Sequence, residues 1–393
     1  MKSHDPEKAI SDLRDHLARH DKPLAFLCGA GTSCAAGSMV GDQWKALIPA
    51  VAALTEICGN DVKALGDSFE KAWDSIAENC IAEGQDTFVE SMLSRIRMML
   101  RAIGGSDSLC GLSRDELSTL EESVRKTIAK EVAPDLSTLP DVFPHADLAR
   151  WIARTSRSIP IELFTVNYDI LFEYALESER VPVFDGFVGS HQPFFHADSL
   201  RREEASPGKS WTRVWKMHGS VNWSRIEKGD SRSIVRSAVS EHGEMILPSF
   251  DKYDESRQQP YTAFADRLRR FLEQDDALLI VLGFSFGDDH INELIFGALD
   301  NCPRTHVYSL QYSNIDEGSQ LHRRAMQRSN MIVMTPERAI IGGRSYPWES
   351  SEELAVASKL YVSNGKTGAE EKSHLVIGDF AKFSEFLVSM VKS

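Results

Sequence analysis

Pro23-Leu-Ala-Phe-Leu-Cys28-Gly29-Ala30-Gly31-Thr32-Ser33 decides how this chain folds. An apolar run that stops at a glycine turn is how a strand buried on both faces of a parallel sheet meets a phosphate-sized turn. Upstream, Ser3 to His20 places Ile10, Leu13 and Leu17 three to four residues apart, the spacing of a helix. Downstream the same unit recurs. Ile161-Glu-Leu-Phe-Thr165 precedes a helical pattern from Asn167 to Leu176, Ala277 to Leu282 precedes another from His290 to Leu299, and Thr305 to Gln311 reads as one more strand. Strands alternating with helices predict an α/β fold with a doubly wound parallel sheet.

The 393 residues leave room for two to three ordinary domains or one large domain with insertions. Hydrophobic residues at 42% and charged residues at 26% are ordinary globular values, and no stretch nears the ~18 consecutive apolar residues of a membrane span. A formal charge of −14 disfavours nonspecific attraction to nucleic acid or an anionic membrane. Arg201-Arg202 and Arg323-Arg324 are pairs rather than stripes, so no direct nucleic-acid binding is expected. Because the first apolar run begins only at Leu24, no secretory segment is expected and residence is read as cytoplasmic. Six cysteines (Cys28, Cys34, Cys58, Cys80, Cys110, Cys302) lack any C-x-x-C spacing and are read as reduced thiols.

Between Trp44 and Trp151 the patterns are helical, as in Phe88, Met92, Leu93, Ile96 and Leu100, with candidate caps at Ser68 and Ser113. The expected organisation is a catalytic domain over 1–43 and 152–335, a helical insertion over 44–151 and a C-terminal extension over 336–393. Residues 185–260 read as an irregular polar excursion near the active-site mouth, with turn signals at Ser206-Pro-Gly208 and Gly229-Asp-Ser231. Order resumes only weakly after Ile340, with a turn at Ser363-Asn-Gly365 and helical spacing from Phe380 to Val391.

Four motifs could carry chemistry. Gly29-Ala30-Gly31-Thr32-Ser33 would let backbone approach a pyrophosphate at a helix N-terminus, although the third glycine of the dehydrogenase fingerprint is replaced by Cys34. Phe164-Thr165-Val166-Asn167-Tyr168-Asp169 lies at the carboxyl end of a strand, where Asn167 can hold a ribose hydroxyl or a water; a helix cap is the alternative. In Trp215-Lys216-Met217-His218-Gly219-Ser220, His218 suits general-base work, against a structural histidine. Gly283-Phe284-Ser285-Phe286-Gly287 satisfies G-x-S-x-G, which makes a serine hydrolase using Ser285 a competitor. A metal at Asp288, Asp289 and His290 is disfavoured because sequence neighbours rarely converge on one ion.

In their order and spacing these four motifs resemble the SIR2 (sirtuin) superfamily. Gly283-Phe-Ser-Phe-Gly-Asp-Asp-His-Ile-Asn292 and Met217-His-Gly-Ser-Val-Asn-Trp223 resemble its bacterial anti-phage branch, and the overall length resembles the SIR2 subunit that partners a HerA-type ATPase. The deacylase zinc ribbon is missing, and Met39-Val-Gly-Asp-Gln-Trp44 stands where an acidic-Phe-Arg segment would follow the first turn, so no zinc is expected. The resemblance implies a Rossmann-like sheet of the SIR2 type and NAD+ glycohydrolysis, with NAD+ as substrate. By it, Asn167 and His218 act on the nicotinamide ribose and the attacking water. Gly29, Ala30, Gly31, Thr32, Ser33, Gly283 and Ser285 cradle phosphates and ribose, Asp169 fixes the loop, and Gln311 and Tyr312 face the adenosine end. It also implies NAD+ depletion as an abortive response, a homo-oligomer and a HerA-type ATPase or helicase partner. A nucleotide-binding sensor without turnover is the other reading.

Overall fold

Nine strands build the main sheet of the computed structural model: β1 (Leu24–Cys28), β2 (Glu162–Thr165), β3 (Val183–Phe184), β4 (Thr212–Lys216), β5 (Leu278–Leu282), β6 (His306–Leu310), β7 (Met331–Met334), β8 (Arg338–Ile341) and β9 (Arg344–Pro347). The structure describes residues 2–105, 107–202, 205–228, 231–239, 244–245, 259–349, 354–363 and 373–391. Strand order is β9-β8-β7-β6-β5-β1-β2-β4-β3, with every pairing from β3 to β7 parallel and those of β7 with β8 and β8 with β9 antiparallel. The doubly wound α/β expectation therefore holds. Chain direction across the sheet reverses at β1, the switch point outside which ligands of such sheets bind.

The helices around it include α1 (Pro6–Leu17), α2 (Ala30–Cys34), α3 (Val51–Ala64), α4 (Asp67–Ala82), α5 (Val89–Ala102), α6 (Arg114–Glu131), α7 (Pro144–Arg154), α8 (Leu171–Ser178), α9 (Tyr261–Leu272), α10 (Asp289–Asn301), α11 (Gln320–Met326) and α12 (Phe380–Ser389), with one further turn of helix at Asp198–Arg201 between α8 and α9. All of β1 is buried because its alternate side chains feed two cores. Leu24, Phe26 and Cys28 meet α1, α7, α8 and α12, while Ala25 and Leu27 meet α9, α10 and α11. A third core belongs to α3–α6. Ser113 caps α6 in a capping box with Glu116, as its sequence suggested. Ser68 does not cap: α4 already starts at Asp67, after Gly66 with φ 129°.

Three readings change. Residues 185–260 are not merely irregular: β4 lies inside the main sheet, and Phe187–Val188, Phe194–Phe195, Trp223–Lys228 and Ser231–Arg236 form a four-stranded antiparallel sheet. The tail is ordered well beyond Ile340, through β9, a hairpin of Tyr361–Ser363 with Ser373–Leu375, and α12, whose phenylalanines enter the first core. Glu7 of α1 ties it down, its carboxylate accepting from the amides of Ala355, Val356 and Ala357. Finally, Trp44 sits in a hairpin of Gly37–Val40 with Gln43–Ala46, and α7 packs on α12 and the sheet rather than on α3–α6. The turn signals at Gly229-Asp230 and Asn364-Gly365 lie outside the described residues. Among the described residues no helix is long and apolar enough to cross a membrane.

His145, on α7, is buried against the rings of Phe143, Phe172 and Phe380 at 5.3, 4.6 and 5.2 Å, and neither ring nitrogen has a hydrogen-bond partner among the described residues. Burial pulls its pKa down to about 4, with the Asp169 carboxylate opposing only in part. The unfolded chain therefore binds a proton below about pH 6.5 that the folded chain refuses, so stability falls as pH drops from there toward 4. We expect a loss of about 2 kcal/mol by pH 5 from this group, read by urea unfolding. His145→Leu should flatten that part of the profile; an unchanged pH dependence in this variant would refute the assignment.

Candidate active site

The hydrogen-bond register lines up Leu310, Leu282, Cys28, Thr165 and Lys216 as one row across β6, β5, β1, β2 and β4. These are the carboxyl ends of five adjacent parallel strands. Every motif singled out in the sequence begins one or two residues beyond that row: Gln311, Gly283, Gly29, Asn167 and His218 in spatial order. The sheet alone thus brings distant parts of the chain to one rim.

Close backbone contact explains three of the glycines. A Cβ on Gly29 would lie 2.5 Å from the Gly283 carbonyl oxygen, one on Gly31 2.7 Å from Gly283 Cα, and one on Gly283 2.5 Å from the Thr32 nitrogen. Gly283 also has φ 60°, which suits glycine. The two turns are pressed together, and the amides of Gly29, Gly31 and Thr32 donate to the carbonyls of Leu282, Gly283 and Gly29. Ala30 and Gly31 remain exposed, while Thr32 and Ser33 are buried.

Asn167, 7% exposed, joins this turn to β2. Its Nδ2 lies 3.0 Å from the Gly29 carbonyl oxygen, 3.1 Å from Thr32 Oγ1 and 2.7 Å from Ser33 Oγ. Ser33 Oγ donates to Asp169 Oδ2 at 2.6 Å, and Asp169 Oδ1 accepts from the Leu171 amide at 3.1 Å, at the start of α8. Asn167 is therefore not a helix cap. Below the loop, Lys216 Nζ donates to the Asp169 carbonyl and lies 3.4 Å from Glu173 Oε1. Burial raises the Glu173 pKa, with Lys216 working against it. A charged lysine at the end of β4 is affordable only because these oxygens receive it.

His218 stands at the next strand end, its Nε2 2.9 Å from Asp288 Oδ2. Asp288 caps α10, its Oδ1 accepting from the amides of His290 and Ile291. Sequence reading considered Asp288 only as a metal ligand and missed this pairing. The signal available was an aspartate immediately before a helix, which marks a cap. Tyr168 is partly buried beside these groups. Burial raises its pKa, and the charges of Glu90, Tyr261 and Asp288 add to the rise while Arg97 opposes it. Glu90 and Arg97 belong to α5, so the helical block stands over this end of the rim.

Ser285 is exposed, and among the described residues no histidine meets it. The left-handed residue of its turn is Phe286, with φ 59°, where a nucleophile elbow strains the serine itself. Gln311 Nε2 donates to Ser309 Oγ at 2.8 Å and reaches the Phe284 carbonyl at 3.4 Å, beside the Ser285 turn, and Tyr312 next to it is 76% exposed. All six cysteines are unpaired, and burial raises the thiol pKa of Cys28, Cys34, Cys58 and Cys80. Those thiols stay protonated and unsuited to nucleophilic attack. Among the described residues no group of three or more His, Cys, Asp or Glu side chains could hold a metal ion.

Residues 161–333 match the family model of the SIR2-like domain. The matched stretch runs from β2 to β7 and contains Asn167, His218, Ser285 and Asp288; β1 and its glycine turn precede it. A comparison with curated proteins finds no match. SIR2-like domains bind NAD.

Gly283→Ala should cost about 2 kcal/mol or more, since it adds a left-handed alanine and a backbone clash. Gly287→Ala, whose Cβ would meet only Ser285 Oγ at 3.4 Å, should cost far less. Thermal unfolding of the two variants compares them directly; equal losses would mean that the turns are not packed as described.

Proposed function

We propose that this chain is an NAD+ glycohydrolase, cleaving NAD+ with water to nicotinamide and ADP-ribose. One observation carries the reading: Asn167 and His218 rise from adjacent strands just beyond the same register row, at the switch point, within the region that matches the SIR2-like domain. The bond broken joins the ribose C1′ to the nicotinamide nitrogen, and its electron pair leaves with nicotinamide, neutralising the pyridinium. Glycoside cleavage of this kind passes through an oxocarbenium-like centre, and because the leaving group is already cationic no general acid is required. Asn167 orients the ribose and the water, and His218 takes the proton as water bonds to C1′. Gly29 to Ser33, Gly283 and Ser285 line the phosphate side, and Gln311 and Tyr312 the adenosine side. The resemblance to the anti-phage branch supports NAD+ depletion as the purpose, with a homo-oligomer and a HerA-type ATPase as the working assembly.

His218→Ala should leave the fold intact and lower kcat for nicotinamide release by about 10²-fold or more, the size expected on removing a general base. Asn167→Ala should lose activity and also melt earlier, because its amide joins β1 to β2. Near-normal turnover by folded His218→Ala would refute the mechanism, and NAD+ binding by the wild type without nicotinamide release, alone or with the ATPase, would favour the sensor.

Ser285→Ala should weaken NAD+ binding by about 1 to 3 kcal/mol with little effect on kcat. Covalent labelling of Ser285 by a fluorophosphonate would instead establish the hydrolase. Light scattering tests the assembly: a strict monomer, fully active and indifferent to the ATPase, would remove it and leave the NADase reading standing.

A further inference from the structure

We infer that Asp288 is a positioning residue for His218, holding the imidazole in place and strengthening it as a base. Asp288 Oδ2 lies 2.9 Å from His218 Nε2, and the two side chains are 7% and 13% exposed. A carboxylate this near an imidazole, out of bulk water, stabilises the imidazolium that forms when a proton is taken up. Its other oxygen is held by the first amides of α10, so the carboxylate is fixed at the positive end of a thirteen-residue helix, where a negative charge is favoured.

The loop that delivers Asp288 is held as well. Asn292, fully buried on α10, donates from Nδ2 to the carbonyl of Phe286 at 2.7 Å and so pins the one left-handed non-glycine residue of the turn. Asp288 and the turn that carries Ser285 therefore move together or not at all. Among the described residues, the titratable or charged groups of this neighbourhood include Tyr168 beside Asp169, Tyr261 at the start of α9, Glu90 and Arg97 on α5, and the exposed Asp289 and His290 on α10. Glu90 and Arg97 carry opposite charges, and the tyrosines are neutral at the pH where an imidazole titrates. Asp288 is in direct contact with the ring.

The inference rests on His218 being the base of the proposed reaction, and the test separates the two. Asn is as good a helix cap as Asp, so Asp288→Asn keeps the start of α10 while it removes the charge and sets an amide donor where the ring met an acceptor; Asp288→Ser is a second cap-preserving variant, which removes the charge without that donor. In the full chain labelled with 13C-histidine, the His218 signal is identified by its absence from His218→Ala and titrated in each protein. We expect its midpoint to fall by about one pH unit or more in Asp288→Asn and Asp288→Ser. We also expect the acidic limb of kcat/KM for NAD+ cleavage to move to lower pH with it and kcat to drop about tenfold or more. A merely structural role would lower the melting temperature without moving either midpoint. An unchanged His218 midpoint in both folded variants overturns the inference whatever the activity. If the midpoint falls while the wild type releases no nicotinamide, the pairing stands and the glycohydrolase reading fails.

Discussion

One side-chain amide holds the rim of this sheet together. Asn167 leaves the end of β2 and donates to the turn that leaves β1, and Ser33 passes the connection on to Asp169. These groups are buried, so each must find a partner or carry the full cost of desolvation. Here they satisfy one another, which makes the arrangement all-or-none. A neutral amide does this better than a carboxylate would, because its two N–H donors are shared among a carbonyl and two hydroxyl oxygens on one side.

The helical block is built into the same rim. Ala36 follows the first turn, Leu171 follows Asp169 and Val221 follows the His218 loop, and all three are buried in the core of α3–α6. Tyr168 and Ile170 pack against that core too. Each of these three loops is therefore anchored at one end in the sheet and at the other in the block. Packed interiors deform little, so a shift of the block as a body would be felt by the three loops together.

How much of this the sequence displayed follows from the range of the forces involved. β1, β2, β5 and β6 were legible because a strand buried on both faces must be a continuous apolar run. β4 was not, since Thr-Arg-Val-Trp-Lys carries two cations, and Lys216 is neutralised by Glu173 and by a backbone carbonyl from a different part of the chain. Nor was the tail, whose short strands offer three or four residues each to a pattern search. At the site, the strand-end positions of Asn167 and Ser285 could be read because each sits beside its own apolar strand, whereas His218 could be read only as a histidine before a glycine. The bond from Ser33 to Asp169 and the contact of His218 with Asp288 could not, because no periodicity links residues brought together only by sheet order.

The glycines show how one signal can serve two physical ends. In sequence, Gly29, Gly31 and Gly283 read as room for a phosphate; in the structure they are room for each other. Since the amides of Gly29, Gly31 and Thr32 already donate to protein carbonyls, a phosphate here would have to be held by what remains at the surface, such as the Ala30 end of the turn and the Ser285 hydroxyl. At the other end, Ser33 links Asn167 to the Asp169 carboxylate and His218 meets the Asp288 carboxylate, with Lys216 turned beneath the loop. That polarity suits the proposed reaction, in which positive charge leaves the pyridinium ring and gathers on the ribose. Fixed carboxylates near the ribose would lower the energy of that charge as it forms, and because their own bonds hold them in place, no reorganisation is needed at that moment.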